Sequence, residues 1–256
     1  MAKSNPLQWL NVMLSEPFYL FHSFLFFSYL VVRQWATEFL SPQLSSHLLH
    51  REIQAILALF TLATVKLIKA ETWEAFIADT FLYAKGFLIM VALVLDYHLA
   101  YWYLLGLSVV SILTRQPAFS GLGNSTRLTP LQLEVLLTEG NTSRFWLVEF
   151  RTLWSSKCIR TSRILADLSI TYSNNSLSFG MVDLGLFPNA AEKFGISLGV
   201  THGQLPTYIL FDKAIEIARY PEVDFESKAS ASTITKGLLA RHFELDRRLI
   251  EYVSGN

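Results

Sequence analysis

"LVEFRTLWSSKC", Leu147–Cys158, is the stretch on which the reading of this chain turns. With the two residues before it, Phe145–Phe150 (FWLVEF) is a continuous β-favouring run, suited to a strand buried on both faces. A Trp follows at 154, then Ser155-Ser156-Lys157 and Cys158, the sole cysteine among 256 residues. One cysteine excludes an intrachain disulfide framework. What remains open is whether that thiol works or is packed away.

Outward from this stretch the sequence alternates as an α/β domain does. Upstream, Thr129 before Pro130 is a helix cap with Pro at the first helical position, and PLQLEVLLTEG follows as a short helix ended by Gly140. Downstream, CIRTSRILADLSITYS carries Ile164, Leu165, Leu168 and Tyr172 at helical spacing. Then come LSFGMVDL as a strand, AAEKFG as a short helix closed by Gly195, TYILF and AIEIARY as two strands, and a last helix over roughly Ser232 to Val253. The pattern predicts a mixed central sheet with helices on both faces.

In order and spacing, LVEFRTLWSSKC, FGMVDLG, AEKFGI and QLPTYILF resemble the thioredoxin fold over roughly Pro130 to Val253. With an apolar N-terminal region, a Leu95-Asp96 step before the last apolar run and a Ser-x-x-Cys turn, the chain is similar to the thioredoxin-related transmembrane protein 2 family. The resemblance implies an α/β thioredoxin-like domain preceded by helical membrane segments, residence in the endoplasmic reticulum membrane, self-association and a link to redox state. No cofactor is expected. The resemblance also assigns roles: Ser155 takes the place of the attacking cysteine, Cys158 that of the resolving one, and Glu149 that of the buried acid serving the second cysteine. Trp154, Leu205 and a cis Pro206 become the floor of a client groove.

A hydroxyl forms no disulfide, so the dithiol cycle is closed to this chain acting alone, and it is not a conventional dithiol oxidoreductase. Two functions stay open. Cys158 forms mixed disulfides with glutathione, a client or a second copy in a regulatory role, or the groove binds partners without turnover while Cys158 is a shielded small hydrophobe. Lys157, Arg160 and Arg163 would favour a thiolate if they faced it; the alternative is a solvated helix face. Arg163 also stands where many thioredoxins have a helix-kinking proline, which predicts a straighter helix here. The loop Ile196 to Gly203 is longer than a minimal thioredoxin needs.

The rest of the chain has another character. Residues 1–116 hold 14 of the 42 charged groups, and the whole is 52% hydrophobic. Apolar runs occupy Pro17 to Val32, Ile53 to Val65, Gly86 to Leu95 and Tyr97 to Thr114. A span takes about 20 residues, roughly 17 at least, which Tyr97 to Thr114 meets and Pro17 to Val32 nearly does. The expected organisation is a membrane region over 1–116 with one to four spans, a Pro/Gly/Ser-rich linker over 117–129 and the thioredoxin-like domain over 130–256. Asp79, Lys85 and Asp96 are expected at interfaces, with a transport path as the alternative. If four segments span, Lys3, Lys66, Lys69, Lys85, Arg115 and Arg127 fall on one side and Arg33 and Arg51 on the other, which places the termini and the domain in the cytosol. Sequons at Asn124, Asn141 and Asn174 would be used only on a lumenal domain. With 21 basic and 21 acidic residues there is no nucleic-acid footprint. His47 and His50 lack companion ligands, so no metal site is expected. The expected partners are the bilayer, client proteins and a second copy.

Overall fold

The computed structural model describes residues 15–139, 145–198, 204–222 and 233–255. It divides into two compact units, Met1–Pro117 and Ala118–Asn256.

The first unit is helical: α1 Pro17–Ala36, α2 Pro42–Lys69, α3 Trp73–Leu95 and α4 Tyr97–Leu113. Each boundary has a local cause. Pro17 and Pro42 open α1 and α2, where a missing N–H costs nothing. Thr72 caps α3 by accepting the Ala75 N–H at 3.2 Å. Between α3 and α4 stands the single extended residue Asp96 (φ −160°, ψ 137°): its N–H ends α3 on Ala92 O and its carbonyl begins α4 by accepting the Ala100 N–H. Side chains bridge neighbouring helices at positions mirrored about each connection, Arg33 with Glu52 (2.8 Å), Lys66 with Asp79 (2.9 Å) and Lys85 with Ser111 (2.9 Å). That mirroring makes successive helices antiparallel. Phe24, Phe60, Leu82, Trp102 and Ile112 point outward, a surface far more apolar than water tolerates. Trp73–Leu95 is long and apolar enough to cross a membrane, and Tyr97–Leu113 is an apolar helix of 17 residues. The apolar run Gly86 to Leu95 is the second half of the longer helix α3, in which Lys85 donates to Ser111.

The second unit is built on a five-stranded sheet in the order β1-β3-β2-β4-β5: β1 Thr126–Arg127, β2 Phe145–Arg151, β3 Leu177–Asp183, β4 Thr207–Asp212 and β5 Ile215–Tyr220. Strand β2 runs parallel to β3 and antiparallel to β4, and β5 is antiparallel to β4. This is the thioredoxin arrangement that the motifs implied. Helices α5 Pro130–Glu139 and α8 Asn189–Lys193 cover one face over Val148, Phe150, Val182 and Ile209. Helices α7 Ile164–Tyr172, α9 Lys236–His242 and α10 Leu245–Ser254 cover the other over Leu147, Phe179, Tyr208 and Leu210. Helix α5 starts with the expected cap in reciprocal form: Thr129 Oγ1 accepts the Gln132 N–H (3.2 Å) and Gln132 Oε1 accepts the Thr129 N–H (2.9 Å).

Three expectations need correction. The stretch 117–129 is not a free linker: from 118 on it belongs to the second unit and adds β1 beside β3. It is strapped down by the Phe119 N–H on Ser162 Oγ and the Asn124 N–H on Ser169 Oγ, both 2.9 Å. Gly123 (φ +59°) lies so close that a Cβ would come within 2.5 Å of Ala166 O.

The helix after the turn is not straighter for lacking proline. It breaks between α6 Ser156–Thr161 and α7, because Ser162 Oγ donates to Ile159 O (2.7 Å) and tightens that turn. The last helix is also two. Phe243 and Leu245 are both buried, which one straight helix cannot achieve at a separation of two, and Glu244 (φ 52°) makes the break that lets both face the core. Ser232, Gly140 and residues 199–203 of the Ile196–Gly203 loop lie outside the described residues.

Candidate functional site

Strand β2 ends at Arg151, and Thr152–Ser155 turn the chain into α6, whose Cys158 faces inward. Alternation along β2 puts Leu147 and Glu149 on the face covered by α7, α9 and α10, and register sets Glu149 directly opposite Tyr208 of β4. The Tyr208 hydroxyl donates to Glu149 Oε1 at 3.1 Å. Arg151 Nη1 stands 3.9 Å from Glu149 Oε2, and that oxygen has no hydrogen-bond partner among the described residues. All three side chains are buried.

Burial dominates the electrostatics. It pushes the Glu149 carboxyl up to about 7, against the opposing pull of the Arg151 guanidinium and the Tyr208 hydrogen bond. It also pushes the Cys158 thiol up, and the charge of Glu149 adds to that. The Thr152 backbone, the Ser155 hydroxyl bonded at Sγ and the positive charge of Arg151 pull the other way without overcoming burial. Cys158 is 1% exposed, so in this conformation the thiol is covered as well as protonated at neutral pH.

The groove residues behave oppositely. Trp154 is 71% exposed and lies against Gly185, where a Cβ would come within 3.3 Å of its ring. Leu153 and Leu186 are also exposed beside it. Leu205 is half-buried, and the Leu205–Pro206 peptide bond is cis, as the resemblance implied. Ser155 is half-buried at the start of α6 and caps nothing with its side chain.

The structure thus brings Glu149, Ser155 and Cys158 together and places Trp154 on the outer surface of the same turn. Of the two readings left open for the cations after the turn, Lys157 fits the solvated helix face. The guanidinium acting on the thiol is that of Arg151; Lys157 is exposed, and Arg163 pairs with Asp167 at 3.4 Å and stacks over Phe119. Arg151 and Tyr208 were both missed. A charge closing an otherwise apolar strand was a visible signal for the first, while the second depended on the β2–β4 register. Of the sequons, Asn124 is exposed, Asn141 lies outside the described residues, and Asn174 uses its amide structurally, accepting from Ser176 and Leu177 N–H and donating to Tyr172 O. His50 faces Gln54, and no cluster of three potential metal ligands occurs among the described residues.

Among known proteins, the chain is 30% identical over 246 residues to thioredoxin-related transmembrane protein 2 of Xenopus tropicalis, covering 91% of this chain and 83% of that one. It is 29% identical over 228 residues to the thioredoxin-related transmembrane protein 2 homolog of Drosophila melanogaster, covering 84% and 83%. Of solved structures, the reduced thioredoxin pre-protein of Schistosoma mansoni is similar at 24% identity over 38% of this chain and 83% of that one, with a TM-score of 0.32. No protein-family model matches the chain.

Proposed function

The chain belongs to the thioredoxin-related transmembrane protein 2 family, and from that premise we propose that its membrane-anchored thioredoxin-like domain is a client-binding module without redox turnover, in which an extended segment of a partner or of a second copy lies across Trp154 and Leu205–Pro206. The observation that carries this reading is the contrast across one turn: Trp154 at 71% exposure, Cys158 at 1%. Ser155 in place of an attacking thiol closes the two-cysteine cycle from the other direction. The site of action is the endoplasmic reticulum membrane with the domain on its cytosolic face. The first part comes from the family resemblance; the second is supported by the antiparallel helices, which set Lys66, Lys69 and Arg115 at one end of the helical unit and Arg33 and Arg51 toward the other.

A second reading, mixed-disulfide regulation at Cys158, is favoured by one feature: the Ser155 hydroxyl and Arg151 are already placed to stabilise a thiolate once the turn opens. One comparison separates the two. For the binding module, native Cys158 reacts with iodoacetamide at neutral pH at least about 100-fold more slowly than in the unfolded chain, and partner capture persists in Cys158→Ala but falls in Trp154→Ala. Rapid native alkylation together with capture lost in Cys158→Ala would establish the thiol reading instead.

A further inference from the structure

The side-chain bridges of the helical unit mark two levels. At one, Arg33 is paired with Glu52, near the turn between α1 and α2. At the other, Lys66 is paired with Asp79, near the turn between α2 and α3. Lys85 differs from both. It stands inside an apolar helix, yet its ammonium is not matched by a carboxylate: it donates to the neutral Ser111 hydroxyl at 2.9 Å and lies 5.9 Å from the centre of the Phe18 ring. Among the described residues no acidic side chain forms an ion pair with it.

Its two contacts define its depth. Phe18 is the second residue of α1 and Ser111 the third from the end of α4, so the ammonium lies where two of its neighbouring helices terminate, although Lys85 itself is in the middle of α3. From Ser111 back to Asp96, α4 rises roughly 22 Å at 1.5 Å per residue, about three quarters of the hydrocarbon thickness of a bilayer. On α3 before Lys85 lie Glu74 and the Asp79–Lys66 pair. Ser111 is exposed and followed by the outward-pointing Ile112 and Leu113, so the ammonium and hydroxyl face the surroundings of the unit where α4 ends. An unmatched cation at that depth is stabilised by an anion at the same depth, and in a bilayer the anions there are phosphates.

We propose that Lys85 and Ser111 bind the phosphate of an anionic phospholipid at the membrane boundary where α1 begins and α4 ends. The ammonium supplies charge, the hydroxyl can donate to a second phosphate oxygen, and the exposed apolar residues beside them contact the acyl chains. This site rests on the helical unit spanning the bilayer. Under the orientation proposed above it faces the cytosolic leaflet, where anionic lipids concentrate.

The test uses the full-length protein in nanodiscs of phosphatidylcholine with or without phosphatidylserine, reading lipid retention by native mass spectrometry and the thermal midpoint by circular dichroism. Phosphatidylserine is retained and raises the midpoint in the parent chain and in Lys85→Arg. In Lys85→Met retention weakens about fivefold, equivalent to about 1 kcal/mol for one lysine at the surface, and the midpoint no longer responds. Equal retention by Lys85→Met and the parent overturns the site. If Lys85→Met does not fold, Ser111→Ala decides: reduced retention of phosphatidylserine supports the site, unchanged retention overturns it. Inorganic phosphate added to phosphatidylcholine discs has no effect if the ligand is a lipid; stabilisation equal to that by phosphatidylserine overturns the lipid assignment. Alkaline carbonate extraction separates the underlying premise, since release of the chain from membranes would refute the spanning unit itself.

Discussion

The two units of this chain place their apolar side chains on opposite sides. In the helical unit Phe60 is 72% exposed and Phe24 67%, while polar side chains bridge helices between their apolar surfaces. In the thioredoxin-like unit Leu147, Val148 and Phe150 have no exposure at all, yet Glu149 lies buried among them with Tyr208 and Arg151. The contrast shows that burial in a protein and burial in a bilayer are different answers to the same hydrophobic effect. Where lipid replaces water, an outward Phe needs no protein cover and an unmatched cation seeks the boundary. Where water surrounds the fold, apolar groups need the core, and a polar group inside it needs partners.

The comparison can be broken most sharply at the sheet. Phe179 is 1% exposed between β3 and the α7 side of the core. Phe179→Ala is expected to cost about 3–5 kcal/mol through lost burial and a cavity, measured as a fall in the urea midpoint followed by a probe in the second unit. A loss under about 1 kcal/mol would mean that this core is not packed as described.

Glu149 gives the next effect. Its folded carboxyl titrates near 7 instead of 4.5, so the folded state binds a proton more tightly than the unfolded chain does. The contribution of Glu149 to stability is therefore full below about pH 4.5, declines as pH rises from there to about 7, and is gone above, a difference of about 3 kcal/mol across that window. Glu149→Gln should remove this contribution, seen as a flatter stability–pH profile by denaturant unfolding. A profile as steep as the parent's would assign the dependence to another group.

The smallest effect is the sharpest test of the contrast. Phe60→Ala, measured in a bilayer, is expected to change helical-unit stability by less than about 0.5 kcal/mol, as for a surface site. A loss approaching that of Phe179→Ala would place Phe60 in a protein interface, a second copy included.

The particular misreadings have physical causes. FWLVEF and TYILF were legible as central strands because both faces are covered and the apolar run is unbroken. Glu149 and Cys158 were legible through the resemblance at their motif. The break after Thr161 was not, since it depends on Ser162 bonding locally and to Phe119, distant in sequence. Residues 118–129 looked like a linker because Gly, Pro and Ser suit loops; their docking on α6 and α7 is a tertiary fact. Lys85 was expected at an interface, but its partner there, Ser111, lies on the neighbouring helix and could not be read from the sequence.

By itself the sequence determined the two solvents of this protein and the order of its strands and helices, because composition, periodicity and motif spacing are local properties; the roles of Ser155 and of the groove at Pro206 came from the family resemblance. Tertiary structure decided whether the remaining thiol is reached, which guanidinium faces it, and what Lys85 meets within the helices. Those depend on strand register and helix packing, which bring residues such as Glu149 and Tyr208 together across long separations and set the solvation that governs their chemistry.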